Sequence, residues 1–282
     1  GHHAFGAQIV MLQFVHITDL HADASGMHFG IDAFERLELA LSHAAGHAPH
    51  ANFAVLTGDV AERGDEASYR KVRRMLERLP YPAFVLPGNH DDPSVLSRVF
   101  EETPSVDLAN ASGARRVREL RAPEFNALFL DTHAGGKGEG AMKTGELDAI
   151  REALRSEKHL FLFMHHPPFA SGISAMDALG LSNADALLSI FEEAHRKPAA
   201  IFCGHLHRTI AGVWAGVPVF ALRSVVQEVD PFSRDPNRIV YCAEAPEYAL
   251  VDASIETGGT LTILSQTIRF TESETLISDL PD

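Results

Sequence analysis

Ala200-Ile201-Phe202-Cys203-Gly204-His205-Leu206-His207 runs a short apolar segment into a glycine and two histidines at i and i+2. A short apolar run without alternation reads as a strand buried on both faces. Two histidines on alternate positions directly after such a strand have no packing reason to be there. The same arrangement occurs four more times. Residues 12–17 lead into Thr18-Asp19-Leu20-His21, and Phe53–Thr57 leads into Gly58-Asp59. Ala83–Leu86 leads into Pro87-Gly88-Asn89-His90-Asp91-Asp92, and residues 160–164 into His165-His166-Pro167-Pro168. In α/β sheets ligands bind in the crevice outside the carboxyl ends of the strands, so five loops are expected to converge on one point.

Between the strands, apolar residues recur at helical spacing. Phe34, Leu37, Leu41 and Ala44 share one face, as do Val72, Met75, Leu76 and Leu79. Leu147, Ile150 and Leu154 follow the same rule with Thr144 as the expected N-cap, and Ala184, Leu187, Leu188 and Phe191 with Asn183 or Ser182. A further strand is expected at 126–130. Beyond Val213 the texture changes to strands without helices, at 217–222, 247–251 and 260–270. The pattern predicts a layered α/β fold with two sheets between helices, the late strands completing the second sheet. Residues 1–10, opening with Gly1-His2-His3, read as a tag remnant or disordered start, and 11–282 as a single domain.

Composition narrows the function class. The chain has 282 residues, 45% of them apolar, and a formal net charge of −14. That acidity argues against a nucleic-acid groove. No apolar run approaches the roughly 20 residues that cross a bilayer, so no membrane partner is expected. Two cysteines, Cys203 and Cys242, make no disulfide framework, and a cytoplasmic address is the expectation. A homo-oligomer is compatible with all of this. An acidic protein acting on a phosphate ester needs local cations to offset repulsion.

The motif residues suit that need. Carboxylate, amide oxygen and imidazole nitrogen together favour borderline metals such as Mn, Fe and Zn. The glycines at 58, 88 and 204 are expected to supply the backbone freedom that aims two neighbouring side chains inward, and to let the backbone come close. Asp59 is suited to bridging two cations. His43, His47, His50 and His195 lie at or near helix ends and read as structural. His133 follows a strand and precedes the glycine-rich segment 135–140, and it is expected to stay outside the site.

The order Asp-x-His, Gly-Asp, Gly-Asn-His-Asp, His, Gly-His-x-His resembles the calcineurin-like metallophosphoesterase superfamily over about residues 18–208. The His-His-Pro-Pro block looks like its class III cyclic-nucleotide phosphodiesterases. The Pro-Gly-Asn-His-Asp-Asp run, Ala175-Met176-Asp177 and Ile201-Phe202-Cys203-Gly204-His205 look like the bacterial glycerophosphodiester phosphodiesterases of that branch. The resemblance implies a four-layer α/β/β/α sandwich and two bound metal ions. It implies Asp19, His21, Asp59 and His207 around one ion, and Asp59, Asn89, His165 and His205 around the other. His90 would face the substrate, with Asn89 beside it. The implied reaction is hydrolysis of small-molecule phosphodiesters, cyclic nucleotides or glycerophosphodiesters, by a hydroxide held between the metals. A phosphomonoesterase would use the same ligands. A non-catalytic scaffold of this fold would have lost some of them. Substrate selection is expected from loops 23–29, 169–181 and 229–237.

Overall fold

The computed structural model describes residues 10–27, 30–135, 138–242, 244–256 and 259–270. Its strands and helices begin β1 (Val10–Ile17), α1 (Ala33–His47), β2 (Phe53–Thr57), α2 (Glu66–Leu76), β3 (Ala83–Leu86) and α3 (Pro93–Val99). They continue with β4 (Thr103–Asp107), β5 (Ala114–Arg121), β6 (Phe125–Phe129), α4 (Thr144–Ala153), β7 (His159–Phe163) and α5 (Ser174–Asp177). Then follow α6 (Ala184–Glu193), β8 (Ala200–Cys203), β9 (Ile210–Trp214), β10 (Val217–Ala221), β11 (Glu228–Val229), β12 (Tyr241–Cys242), β13 (Glu247–Ile255) and β14 (Leu261–Arg269).

The non-alternating strands are buried on both faces, and each face has its own chemistry. In β1 the side chains of Leu12 and Phe14 enter a central layer, while Val15 and Ile17 pack under the helices. In β7 Phe161 and Phe163 point to the centre, and Leu160 and Leu162 point to the helix side. The central layer is a stack of phenylalanines. Phe14 lies 4.9 Å from Phe53 and 5.3 Å from Phe163, and Phe163 lies 5.0 Å from Phe129 and 5.3 Å from Phe202, centroid to centroid. Helices α1–α3 cover one outer face and α4–α6 the other, which gives the four layers α/β/β/α.

The two central layers are one curled, mixed sheet in the order β14-β13-β1-β2-β3-β5-β6-β7-β8-β10-β9, with β4 beside β5. The hinge between them is β5, which pairs parallel to β3 at residues 114–116 and antiparallel to β6 at 119–121. The sequence gives little sign of it, because Arg115, Arg116, Arg118 and Arg121 mask its strand character. The placement of the late strands is corrected here. Strand β10 joins the second half through β8, but β13 and β14 extend the first half beside β1. The helix caps also differ. Lys143, not Thr144, stands at the N-cap of α4, and Asn183 caps α6 by position only. The Asn183 amide instead bonds the backbone of Met142 in both directions. Residues 1–9 of the expected tag lie outside the described residues.

After β10 the chain passes the carboxyl edge of the sheet as the small β11–β12 hairpin. An ion network holds it there. Arg223 pairs with Glu244 and with Glu247 (3.2 Å), and the Glu244 N–H donates to Glu228 Oε2 (2.9 Å). Glu228 is buried, its Oε1 lies 3.8 Å from Arg223 Nε with no hydrogen-bond partner among the described residues, and burial pushes its pKa up from 4.5 to about 7. A carboxyl whose pKa is higher in the folded state contributes stability that is complete below about 4.5 and lost as pH rises through 7. The melting temperature of the wild type, relative to Glu228→Gln, should therefore fall between pH 5 and pH 8. A difference that stays constant across that range would sink the assignment.

Candidate metal centre

Parallel β1, β2 and β3 and parallel β7 and β8 bring their carboxyl ends to one edge of the sandwich. The chain keeps pairing as it leaves the strands. The N–H groups of Asp19 and His21 donate to the carbonyls of Gly58 (3.2 Å) and Asp59 (2.8 Å), and that of Gly204 donates to His165 (3.1 Å). Most of the kinks lie in the acidic and imidazole residues themselves, with one at Gly58. Asp19, His21, Asp59, His205 and His207 all have φ between 46° and 69°. Such a conformation costs a non-glycine residue about 1–2 kcal/mol. Five adjacent instances mean that the surrounding bonds over-determine the loops. Of glycines 58, 88 and 204, only Gly58 has positive φ (91°). Gly204 is required by close approach, since a Cβ there would lie 2.5 Å from Asp19 Oδ2 and closer still to Thr18 Oγ1.

The geometry brings Asp19, His21, Asp59, Asn89, His165, His205 and His207 together. His21 Nε2 lies 3.1 Å from His207 Nε2 and 3.6 Å from Asp59 Oδ2, and His207 Nε2 lies 3.4 Å from Asp19 Oδ1. On the other side of Asp59, His165 Nε2 lies 3.4 Å from its Oδ2 and 3.1 Å from Asn89 Oδ1. His205 Nδ1 is also 3.1 Å from that amide oxygen. Ligand atoms about 2.1 Å from one cation, at right angles, lie about 3.0 Å apart.

The tautomers show that these are not ordinary hydrogen bonds. A carbonyl can only accept, so His165 Nδ1–H donates to Thr57 O (2.8 Å) and His207 Nδ1–H donates to Gln227 O (2.8 Å). His21 Nδ1–H likewise faces the Glu62 carboxylate (2.7 Å). In the neutral rings each Nε2 is then a bare lone pair. Two such nitrogens at 3.1 Å, and a third against an amide oxygen, repel unless positive charge lies between them. His205 adds a buried Nε2 with no hydrogen-bond partner among the described residues.

The titration behaviour states the same demand. Burial opposes charge on His165, but Asp59 and Asp19 outweigh it and raise its pKa to about 9. Burial opposes charge on His21 too, and Glu62, Asp59 and Asp19 reverse the sign. His207 is pushed down to about 4 and His205 well below its usual range, mainly by burial, which keeps both as neutral donors. The donor set fits two cations that share Asp59.

His166 lies close enough to His165 and His205 to be a geometric candidate for ligation. Its nitrogens are engaged elsewhere. Nε2 meets the Gly138 carbonyl (3.1 Å), so it carries the proton, and Nδ1 accepts from the Thr132 hydroxyl (2.7 Å). His90 is 38% exposed at its side chain, with its ring 4.7 Å from that of His21. Its Nδ1–H donates to the Glu62 carbonyl (3.2 Å), which leaves Nε2 for a ligand. His133 receives the Gly135 N–H (3.3 Å) and joins no ligand group among the described residues. His47 donates to the His43 carbonyl near the end of α1, and His43 bonds the Tyr248 hydroxyl (2.8 Å).

Two carboxylates that matter here had no role in the sequence reading: Asp91, which closes the Gly-Asn-His-Asp motif, and Glu62, which lies outside the motifs. Asp91 is buried and accepts from the N–H groups of Val60, Ala61 and Gly88 and from the Tyr69 hydroxyl, so it stitches the Asp59 loop to the Asn89 loop. Glu62 reaches both His21 Nδ1 (2.7 Å) and His90 Nδ1 (3.4 Å). A carboxylate on the remote nitrogen of a ligand histidine fixes its tautomer and raises its basicity. Glu62→Gln should weaken metal binding by about 10–100-fold, read by competition with a chelator. Unchanged affinity would remove Glu62 from this role.

A family model for calcineurin-like phosphoesterases matches residues 12–209. The chain is 32% identical over 250 residues to a probable cyclic nucleotide phosphodiesterase of Rhodopseudomonas palustris, covering 87% of this chain and 89% of that one. It is 26% identical over 242 residues to a probable glycerophosphodiester phosphodiesterase of Arcobacter nitrofigilis, covering 84% and 86%. In fold it is similar to a putative 5'-nucleotidase from Staphylococcus aureus, with a TM-score of 0.56, 11% identity, and 96% of this chain and 56% of that one covered. The family match starts in β1 and ends just past His207, so it spans all five strand-end motifs. This chain therefore belongs to the calcineurin-like phosphoesterase family, whose chemistry is metal-dependent hydrolysis of phosphate esters.

Proposed function

We propose that the chain is a phosphodiesterase for small molecules, cyclic nucleotides or glycerophosphodiesters, working with two cations drawn from Mn, Fe and Zn. The observation that carries this reading is the set of imidazole lone pairs facing one another across Asp59, with His90 half-exposed beside them. One cation would be held by Asp19, His21, Asp59 and His207, the other by Asp59, Asn89, His165 and His205. When bound, the pair supplies Lewis-acid polarisation of the phosphoryl group and a water of lowered pKa. The chain's own residues do the rest. Asp19 is locked by the His205 N–H (3.0 Å) and the Thr18 hydroxyl (2.7 Å), so its carboxylate has no freedom to turn away. Asp59 Oδ1 accepts the His90 N–H (2.9 Å), which ties the bridging residue to the residue facing the ester. Protonated on both ring nitrogens, with Glu62 facing Nδ1, His90 would donate from Nε2 to the leaving alkoxide.

The preference for diesters is supported by the names of the two relatives, and the preference for small molecules by the net charge of −14, which opposes a polyanionic nucleic acid. No helix among the described residues is long and apolar enough to cross a membrane. The test is metal analysis joined to a substrate panel: an aryl phosphodiester, its monoester, cyclic AMP and a glycerophosphodiester. About two metal equivalents and diester turnover above monoester turnover are expected. Monoester turnover far above every diester would sink the diesterase reading.

A further inference from the structure

The sheet ends at β14, and that end lacks the usual protection. Among the described residues β14 pairs only with β13. It is nine residues long, whereas β9 at the opposite end has five with Gly212 in its middle. A sheet edge is usually blunted by shortness, proline, a bulge or a charge that keeps further strands away. Residues 261–268 (Leu-Thr-Ile-Leu-Ser-Gln-Thr-Ile) hold neither proline nor charge. The register with β13 runs without a bulge from Leu261 to Arg269.

The direction of the backbone groups follows from the two ends of that pair. The Glu256 N–H donates to the Thr260 carbonyl (3.0 Å), and the Phe270 N–H to that of Pro246 (3.3 Å). Hydrogen-bonded and non-bonded pairs alternate along an antiparallel ladder, so the even-numbered residues of β14 bond β13. Leu261, Ile263, Ser265, Thr267 and Arg269 therefore turn their N–H and C=O groups outward. Side chains alternate in the same way. Leu261 and Ile263 pack into the phenylalanine layer, while Leu264 shares the opposite face with Ile268 and stays 54% exposed. On that face, two strands away in β1, Met11 is 57% exposed.

We infer that β14 pairs antiparallel with the β14 of a second copy about a two-fold axis at Ser265, joining the two sheets into one. That axis sets Leu261 against Arg269, Ile263 against Thr267 and Ser265 against itself, so outward N–H groups meet outward carbonyls. Leu264 is then covered by Gln266 of the other copy. Charge favours the same arrangement. The chain carries −14, so two copies repel over most of their surfaces. The seam holds no acidic side chain. Its one cation is Arg269, which pairs with Glu247 (2.9 Å) and whose side chain is 71% exposed. Antiparallel pairing brings Arg269 to the end where the turn of the other copy carries the exposed Glu256. Parallel pairing would set Arg269 beside Arg269.

The seam is remote from the metal centre. Leu264 aligns through Asp252 with Gln13, early in β1, whereas the centre lies past the carboxyl end of that strand. The test is sedimentation velocity of the full chain over a range of concentrations, with hydrogen exchange on the same samples. A reversible dimer is expected, in which the amides of Ile263, Ser265 and Thr267 are protected and from which they open on dilution. Ser265→Pro removes one outward donor from each copy, leaves the bonds to β13 in place, and should weaken dimerisation by about 10–100-fold. Leu264→Lys brings two ammonium groups to the seam and should act in the same direction, which keeps the test decisive if the proline variant misfolds. Both folded variants should retain wild-type metal content and ester turnover. A wild type that stays monomeric at its highest soluble concentration would overturn the inference, whether those amides are open or covered by its own chain. So would a dimer that either folded variant leaves at wild-type affinity, because the contact would then lie elsewhere.

Discussion

Asp59→Asn is expected to lower kcat/KM by about 10³-fold or more and to leave the purified protein short of one metal equivalent. The side chain keeps its size, so packing is not the cause. Asp59 Oδ2 lies 3.6 Å from His21 Nε2 and 3.4 Å from His165 Nε2, on the two halves of the cluster. A carboxylate brings a negatively charged oxygen that two cations could share, whereas an amide brings a neutral oxygen or an NH2 that repels them. The negative charge is lost as well, and with it the attraction that would hold a cation between Asp59 and the neutral His165 Nε2. Metal analysis, circular dichroism and initial rates on one preparation decide the matter. Full metal occupancy with more than a tenth of the wild-type rate would show that Asp59 does not bridge.

His90→Asn should leave metal content unchanged and lower kcat by about 10²–10⁴-fold for esters of alkyl alcohols. His90 touches the cluster through its backbone N–H on Asp59 and its ring beside His21, while its Nδ1–H goes to Glu62. None of these contacts uses Nε2. If that nitrogen donates to the leaving oxygen, the loss must grow with the pKa of the alcohol. An aryl diester, whose phenolate leaves unaided, should lose far less than a glycerophosphodiester. Equal losses on both substrates would reassign His90 to binding the phosphoryl group.

The contrast between Asp59 and Glu62 shows where sequence reading stops. Asp59 follows a glycine at the end of an apolar strand, and the five strand ends occur in one order. Glu62 lies three residues later in a loop with no periodic context, and nothing in Ala61-Glu62-Arg63 marks it. Its role depends on where the rings of His21 and His90 stand, and those come from other loops. The expectation about the glycines holds for close approach at all three, but for a positive φ only at Gly58. The left-handed conformations fall on Asp19, His21, Asp59, His205 and His207 because paired backbone on both sides holds those loops, a tertiary constraint that local propensity does not contain. The pair His165-His166 is ambiguous as a string. It is resolved only by the Gly138 carbonyl and the Thr132 hydroxyl, which engage both nitrogens of His166.

The sequence by itself determined the layered α/β class, most of the buried strands and their motif-bearing ends, because burial on both faces writes unbroken apolar runs and metal chemistry writes Asp, Asn and His. The tertiary structure decided how the sheet closes through the arginine-rich β5, which half β13 and β14 join, and which nitrogen of each imidazole faces the cluster. Those outcomes depend on strand register and on hydrogen bonds between residues up to about two hundred positions apart, such as Ser224 with Asp19. No local pattern carries such distances, and only the packed sandwich fixes them.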